Sequence, residues 1–219
     1  LMDGDDFWTN PKKLQHQIAR LQETGAVACV AFSEVRNERT GQSKRLGWGL
    51  DQTEWVTPAL FLRRYLHTST YVYSRNALDT ALREHPHLHG LDDVDLIFCL
   101  ASQGRISLLR ELVSVYRISG VNECSTRSED SFALWVRWQM LRLVLFGPKQ
   151  FRQLALWYLL HDIRTMWELG HGLTPEVRPL LWAIAKKSWY LEPFSWTILR
   201  EWLKLLYSKT TNRRVRVQN

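Results

Sequence analysis

Three carboxylates lie close together at the start of the chain, at Asp3, Asp5 and Asp6. Asp3 and Asp5 are two residues apart, and carboxylate oxygens at this spacing can share one hard divalent cation such as Mg²⁺ or Mn²⁺. Such a cation can neutralise the charge of a diphosphate that leaves an activated substrate. Acidic residues beside glycine also form ordinary turns and helix N-termini, so the spacing alone leaves both interpretations open.

A second acidic pair, Asp92 and Asp93, lies at the start of a predicted helix. A carboxylate there can accept a proton from a reacting hydroxyl group if burial counteracts the acidifying effect of the helix N-terminus on its pKa. Acidic residues at this position are also common helix caps, because they accept hydrogen bonds from exposed amides and favour the helix dipole. Asp95 follows, and we expect it either to face solvent or to contact a partner helix.

His85, His87 and His89 alternate just before this acidic pair. We predict a flexible loop there and not a metal site, because no cysteine or carboxylate partners are arranged for zinc. The loop directly precedes Asp92 and can border an acceptor site.

Helices and strands alternate in residues 1–127, which predicts an α/β domain. Asn10 as N-cap, Pro11 at the first helical position and Gly25 at the end predict a first helix, with Leu14, Ile18 and Leu21 packed on a sheet. The other predicted elements are a buried strand over Ala26–Val35, a turn or hairpin over Arg36–Lys44, a helix over Thr57–Leu66, a strand over Thr68–Ser74, a helix over Asp92–Ser102 and one or two strands over Arg105–Ile118.

Residues 128–208 differ from the first part in charge and in pattern. Residues 1–129 carry a net charge of −1, whereas residues 130–219 contain 14 Lys and Arg against 6 Asp and Glu, and eight of the eleven tryptophans. We therefore place a boundary near residue 128, followed by a helical extension and a basic, disordered tail over 209–219. The predicted helices of the extension are Glu129–Phe146, Lys149–Leu169, Thr174–Tyr190 and Pro193–Ser208.

The tryptophan-rich basic helices have two interpretations. Aromatic rings beside cations, as in Trp135, Arg137 and Trp138, suit a membrane interface with anionic lipid. The same pattern suits a small bundle whose tryptophans pack in its core. Nucleic acid is not expected as a partner, because the positive charge is interleaved with bulky apolar residues and no recognition motif is present.

The cysteine and hydropathy patterns bound the location of the protein. Cys29, Cys99 and Cys124 are odd in number and lie far apart in or beside apolar segments, which indicates reduced thiols and not disulfides or zinc ligands. No apolar run approaches the ~18 residues of a membrane span. We expect a cytoplasmic protein that can contact the inner face of the cell membrane.

Four motifs occur in the order of a known family. Asp3-Gly-Asp-Asp-Phe-Trp8 is followed by Pro11, Lys13-Leu14 and Gln17; later come His67-Thr-Ser-Thr-Tyr-Val-Tyr-Ser-Arg75, Leu91-Asp-Asp-Val-Asp-Leu96 and Val115-Tyr-Arg117. Together they cover about residues 1–125, and this stretch resembles the family-2 glycosyltransferases of the GT-A fold. The resemblance implies a mixed sheet and transfer of a sugar from a nucleotide-sugar donor to a hydroxyl acceptor. We also expect an upstream half of that domain to be missing from this chain, which leaves the activity of the fragment alone open.

The resemblance assigns roles to individual residues. Asp5 would be the direct metal ligand, Asp3 would lie nearer the ribose or a bound water, and Asp6 would support them or act as a cap. Asp93 would be the catalytic base of an inverting displacement. Arg117 would bind the diphosphate, although an arginine that leaves a strand is also a common surface partner of a carboxylate.

The chain departs from the family pattern at two positions. Asp92 stands where the family has glutamate, which weakens any contact that the longer side chain makes. Ser119 stands near the place of a frequent histidine after Tyr-Arg, so no histidine contact is carried over.

The sequence thus predicts an inverting, Mg²⁺- or Mn²⁺-dependent enzyme of cell-envelope polysaccharide or glycolipid synthesis, with a saccharide or lipid-linked acceptor. The alternative is a noncatalytic module, membrane-associating or protein-binding, fused to a degenerate remnant of such an enzyme.

Overall fold

The protein is a mixed α/β structure built on one six-stranded sheet. The computed structural model describes residues 6–47, 49–88, 92–119 and 139–168. The strands are β1 (Phe7–Trp8), β2 (Ala28–Asn37), β3 (Ser43–Arg45), β4 (Trp55–Val56), β5 (Val72–Tyr73) and β6 (Ile106–Ile118). The helices are α1 (Lys13–Thr24), α2 (Pro58–Arg63), α3 (Arg75–Glu84), α4 (Asp93–Gln103), an unnumbered helical segment over 139–146, and α5 (Lys149–Glu168).

The two long strands β2 and β6 are parallel neighbours at the centre of the sheet. The main order is β1-β6-β2-β3, with β4 also on β6 and β5 also on β2. All pairs except β2 with β6 are antiparallel, so the sheet is mixed as predicted. Apolar residues of β2, α4 and β6 form the core, among them Val30, Phe32, Ile97, Phe98 and Leu108.

The first helix buries a different face from the predicted one. Leu14 and Ile18 are 43% and 46% exposed, whereas Lys13 and Gln17 are buried. Gln17 donates hydrogen bonds from Nε2 to the carbonyls of Cys29 (3.0 Å) and Thr70 (2.7 Å). The prediction that Leu14, Ile18 and Leu21 pack on the sheet is therefore wrong for Leu14 and Ile18, because these hydrogen bonds turn the polar stripe inward.

Burial also changes the chemistry of Lys13. Its Nζ lies 4.6 Å from the ring centre of Trp8, and desolvation lowers the pKa of Lys13 to about 8. A cation over an aromatic face recovers part of the cost of leaving water. The Lys13 and Gln17 positions of the family-like motif thus attach α1 to the sheet.

The ends of α1 show one prediction that holds and one that does not. Gly25 ends the helix in a left-handed conformation, with φ of 63°, and its N–H donates to Leu21 O at 2.9 Å. Asn10 does not begin the helix. It accepts a hydrogen bond from Lys12 N in a preceding turn, and its Nδ2 donates to Glu111 of β6 (2.9 Å), so the helix begins only at Lys13.

The segment predicted as the strand Thr68–Ser74 is mostly not extended. Thr68–Thr70 form a 3₁₀ turn, and only Val72–Tyr73 pair with the sheet. His67 Nδ1 accepts from Ser69 N at 3.3 Å, and Thr70 Oγ1 donates to His67 O at 2.7 Å. These local bonds compete with ladder pairing and explain the turn.

The remaining predictions for the α/β part agree with the structure or differ in length. β2, the hairpin of β2 with β3, α4 and the single long β6 are confirmed. Helix α2 begins after Thr57, whose hydroxyl caps it, but ends at Arg63, short of the predicted Leu66. Helix α3, capped by Ser74 Oγ, and the short strands β1 and β4 were not predicted.

The chain divides into two compact units, residues 1–155 and 156–219. In the first unit the helical segment 139–146 agrees with the end of the predicted helix Glu129–Phe146, and Met140, Leu141, Leu143 and Val144 are buried. In the second unit Trp157 is exposed and stacks on His161 at 5.3 Å. The predicted boundary near 128, the helices Thr174–Tyr190 and Pro193–Ser208 and the tail 209–219 lie outside the described residues.

Cys29 and Cys99 are buried free thiols, as predicted, while Cys124 lies outside the described residues. Among the helices that the structure describes, none combines the length and the apolarity required to cross a bilayer.

Candidate active site

The segment that follows the acidic cluster is anchored to the end of β6. Asp3 and Asp5 lie outside the described residues. Asp6 is buried, and its Oδ1 accepts the backbone N–H of Arg117 at 3.1 Å. Phe7 and Trp8 then pair with Val115 and Ser114. The chain that leads from Asp3 and Asp5 is therefore held beside β6, with Asp6 facing inward.

His67 connects this anchor to the next element. Its Nδ1 lies 3.6 Å from Asp6 Oδ2 and 2.9 Å from Ser69 Oγ, and its ring stacks on Tyr116 at 4.5 Å. Ser69 Oγ lies 2.9 Å from Ser114 Oγ of β6. The carboxylate of Asp6 and the hydroxyl of Ser69 both lie near Nδ1 of this buried imidazole, and together with the stacked Tyr116 ring they hold it in one orientation. His67 begins one of the family-like segments, and no role in the site was predicted for it.

Tyr65 connects His67 to the predicted base. Its hydroxyl donates a hydrogen bond to Asp93 Oδ2. Its ring meets the His67 ring edge-on at 6.1 Å and lies 5.7 Å from Phe61 of α2. A continuous path of contacts thus runs from Asp6 through His67 and Tyr65 to Asp93, which we call the carboxylate path.

Asp92 and Asp95, on either side of Asp93, are both bound by Arg142. Arg142 Nη2 lies 3.1 Å from Asp92 Oδ2 and also pairs with Asp95 Oδ2. Asp92 occupies the N-cap position, but its side chain makes no capping hydrogen bond, so the capping interpretation is wrong for Asp92. Asp95 is fully buried, so of its two predicted environments the partner-helix contact is confirmed and the solvent-facing one is wrong.

Burial dominates the ionisation of Asp95. Desolvation raises the pKa of Asp95 to about 6, and the charge of Asp92 adds to this rise; the Arg142 guanidinium opposes it. The acidic stretch at the start of α4 therefore contains carboxylates in different electrostatic environments. Asp92 and Asp95 pair with Arg142, whereas Asp93 accepts a hydrogen bond from Tyr65.

This shift gives a testable pH dependence of stability. A carboxyl group whose pKa is raised on folding favours the folded state below its unfolded pKa of 3.8, and that contribution is lost as the pH rises through about 6. Between these values the free energy of unfolding should fall by an amount on the order of 3 kcal/mol relative to Asp95→Asn. Urea unfolding of both proteins across this range measures the difference.

The exposed Asp51, which pairs with Arg45 at 2.7 Å, provides a control carboxylate. Asp51→Asn should leave the pH dependence of the wild type in place. Parallel stability curves for the wild type and Asp95→Asn would show that Asp95 titrates normally.

Arg117 pairs with a carboxylate at the surface, which is one of the two contacts predicted for it. Its Nη1 lies 3.1 Å from Glu38 Oε1, and its guanidinium lies 6.0 Å from the ring centre of Phe7. Its backbone N–H donates a hydrogen bond to Asp6 Oδ1. The diphosphate contact of its side chain remains a prediction.

The histidine segment lies between α3 and α4. His85 follows the last residue of α3, and the His87 ring lies 5.0 Å from Phe146 of the helical segment 139–146. His89 lies outside the described residues. Within the described ranges no three His, Cys, Asp or Glu side chains are grouped to hold a metal ion.

The chain matches no protein-family model and no curated protein. The fold is mixed α/β, with the buried Asp6 beside the end of the central strand β6 and Asp93 at the start of α4.

Proposed function

We propose that this chain carries the metal-diphosphate motif and the general base of an inverting glycosyltransferase with a GT-A fold. It would move a sugar from a nucleotide-sugar donor to a hydroxyl group. The carboxylate path is the observation that supports this most, because it joins the segment after Asp3 and Asp5 to Asp93 by direct contacts. The motif order and the mixed sheet agree with the same proposal.

Asp5 and Asp3 are the residues that would hold Mg²⁺ or Mn²⁺, with Asp5 as the direct ligand. Their oxygen donors fit these hard cations, and Asp6, already engaged with Arg117 N and facing His67, supports them from behind. The bound cation would neutralise the diphosphate that departs. Arg117, beside this anchor, would exchange its Glu38 contact for the diphosphate.

Asp93 would remove the proton from the acceptor hydroxyl. The oxygen of that hydroxyl forms a bond to the anomeric carbon while the bond from this carbon to the diphosphate oxygen breaks, and the diphosphate leaves with the electron pair. The proton remains on the Asp93 carboxyl group. A single displacement of this kind inverts the anomeric carbon and requires no covalent nucleophile on the protein.

The acceptor would be a saccharide or a lipid-linked saccharide of cell-envelope polysaccharide or glycolipid synthesis. Donor and metal would be met in the cytoplasm, and residues 130–208 would contact the inner face of the membrane through their basic and aromatic side chains.

The decisive experiment is a panel of nucleotide sugars supplied to the full-length protein with Mn²⁺, with Mg²⁺ or with EDTA. We expect one donor to be consumed with release of nucleoside diphosphate, and consumption to stop in EDTA and to return with added Mn²⁺. Metal-independent turnover would contradict the metal site. No turnover of any donor, together with binding of the protein to anionic liposomes, would favour the noncatalytic module.

A further inference from the structure

Two phenol groups lie near the Asp93 carboxylate, and they are used differently. Tyr71 is buried, and its hydroxyl donates to Leu66 O at 3.0 Å. The negative charge of Asp93 adds to the effect of burial in raising the pKa of Tyr71, which indicates that the two groups are close. Tyr65 instead directs its hydroxyl at Asp93 Oδ2. Of these two phenols, Tyr65 is therefore the one that donates a hydrogen bond to the carboxylate.

The Tyr65 ring is fixed on the protein side and accessible on the other. It lies against Phe61 and meets the edge of His67, yet 40% of the residue is exposed. A donor held by two ring contacts loses little freedom when it binds the carboxylate, so it can hold the plane of that group in one orientation.

The neighbouring acids do not compete for this position. Arg142 binds both Asp92 and Asp95, which directs those two carboxylates toward the helical segment 139–146. Asp93 is in the first turn of α4 and binds Tyr65 instead. The Arg142 and Tyr65 contacts therefore give Asp93 a different partner from Asp92 and Asp95.

We propose that Tyr65 is a positioning residue for the general base, holding one oxygen of Asp93 so that the carboxylate is oriented toward the acceptor hydroxyl. The inference rests on the proposed function and adds to it a residue that none of the sequence motifs contains. Tyr65 acts through Asp93 and transfers no proton itself.

The test is Tyr65→Phe in the full-length protein, with transfer measured across a range of pH. A hydrogen bond to the charged form lowers the pKa of a carboxyl group, so its loss should move the acidic limb of the kcat profile upward by about one pH unit. At the plateau, kcat should fall by about tenfold from lost orientation while the donor KM changes by less than about twofold. Tyr65→Phe keeps the ring, and thermal melting checks its folding.

Tyr158→Phe is the matched control. Tyr158 is another phenol near a carboxylate, in the second unit: burial and the charge of Asp162 both raise the pKa of Tyr158. Its pH profile should coincide with that of the wild type. In the double variant Tyr65→Phe/Asp93→Asn the losses should not add, since the first acts through the second.

The outcomes separate the inference from the function on which it rests. An inactive Asp93→Asn with an unshifted acidic limb in Tyr65→Phe would overturn the role of Tyr65 alone, and so would fully additive losses in the double variant. Undiminished transfer by Asp93→Asn would overturn the assignment of the base, whatever Tyr65→Phe does.

Discussion

Asp93→Asn is expected to lower kcat for sugar transfer by about 10²- to 10⁴-fold, the range that removal of a general base produces. The amide has nearly the shape of the carboxylate and can still accept a hydrogen bond from Tyr65, so the site should keep its structure. Donor binding should be spared because, in the proposed function, Asp3, Asp5 and Arg117 would hold the nucleotide sugar. Steady-state kinetics give kcat, and titration calorimetry with the donor gives the affinity.

Asp79→Asn on α3 is the control for this change. Its carboxylate is half exposed and pairs loosely with Arg75 at 3.6 Å, so neither transfer nor donor binding should change. If Asp93→Asn loses donor binding and transfer to the same degree, the carboxylate supports the structure of α4 and is not the base.

Asp5→Asn is expected to abolish metal-dependent turnover, with a loss of at least about a hundredfold. An amide is a weaker ligand for Mg²⁺ or Mn²⁺ and carries no charge to hold the cation against a diphosphate. The measurement is donor turnover as a function of Mn²⁺ concentration, with Mn²⁺ binding followed by electron paramagnetic resonance. If Asp5→Asn turns over the donor as fast as the wild type at the Mn²⁺ concentration that the wild type requires, Asp5 is not a metal ligand.

The adjacent residue gives a contrasting variant. Asp6 accepts the Arg117 N–H and faces His67 in the interior, so Asp6→Ala, which removes this acceptor, should cost about 1–3 kcal/mol of stability. Asp5→Asn should leave the free energy of unfolding nearly unchanged. If the two variants lose stability equally, Asp5 is part of the fold and not of a metal site.

Local signals in the sequence were sufficient where one element decides its own structure. The start of a helix at Thr57, the stop at Gly25 and the apolar run of α4 each act within a few residues, and the structure confirms them. The exact extents differ because helix ends are decided by weaker preferences than helix centres.

The face of α1 could not be read from periodicity. The apolar stripe containing Leu14 and Ile18 gave the usual signal for a buried face, but two backbone carbonyls from distant segments required a donor, and Gln17 supplies it. A hydrogen bond between residues far apart in sequence leaves no periodic trace. A stripe of polar residues at Lys13 and Gln17, where the family-like motif places them, was the signal available.

The candidate site also combines residues that local sequence signals reveal with residues that only long-range packing selects. Asp92, Asp93 and Asp6 are recognisable because they belong to short motifs. Their partners are not, since Tyr65 precedes Asp93 by 28 residues and Arg142 follows Asp95 by 47. Tyrosine and arginine are common on any surface, and only the packing of α2 and of segment 139–146 against α4 selects these two.

The ion pairs of Arg142 with Asp92 and Asp95 also limit how the polypeptide can be shortened. A recombinant piece that stops at residue 127 would contain every family-like motif but would lack Arg142, the cation that pairs with the Asp95 carboxylate. The cost of an unpaired buried charge is several kcal/mol, comparable with the whole stability of a small domain. Expression of the α/β part by itself should therefore begin from designs that extend past the helical segment 139–146.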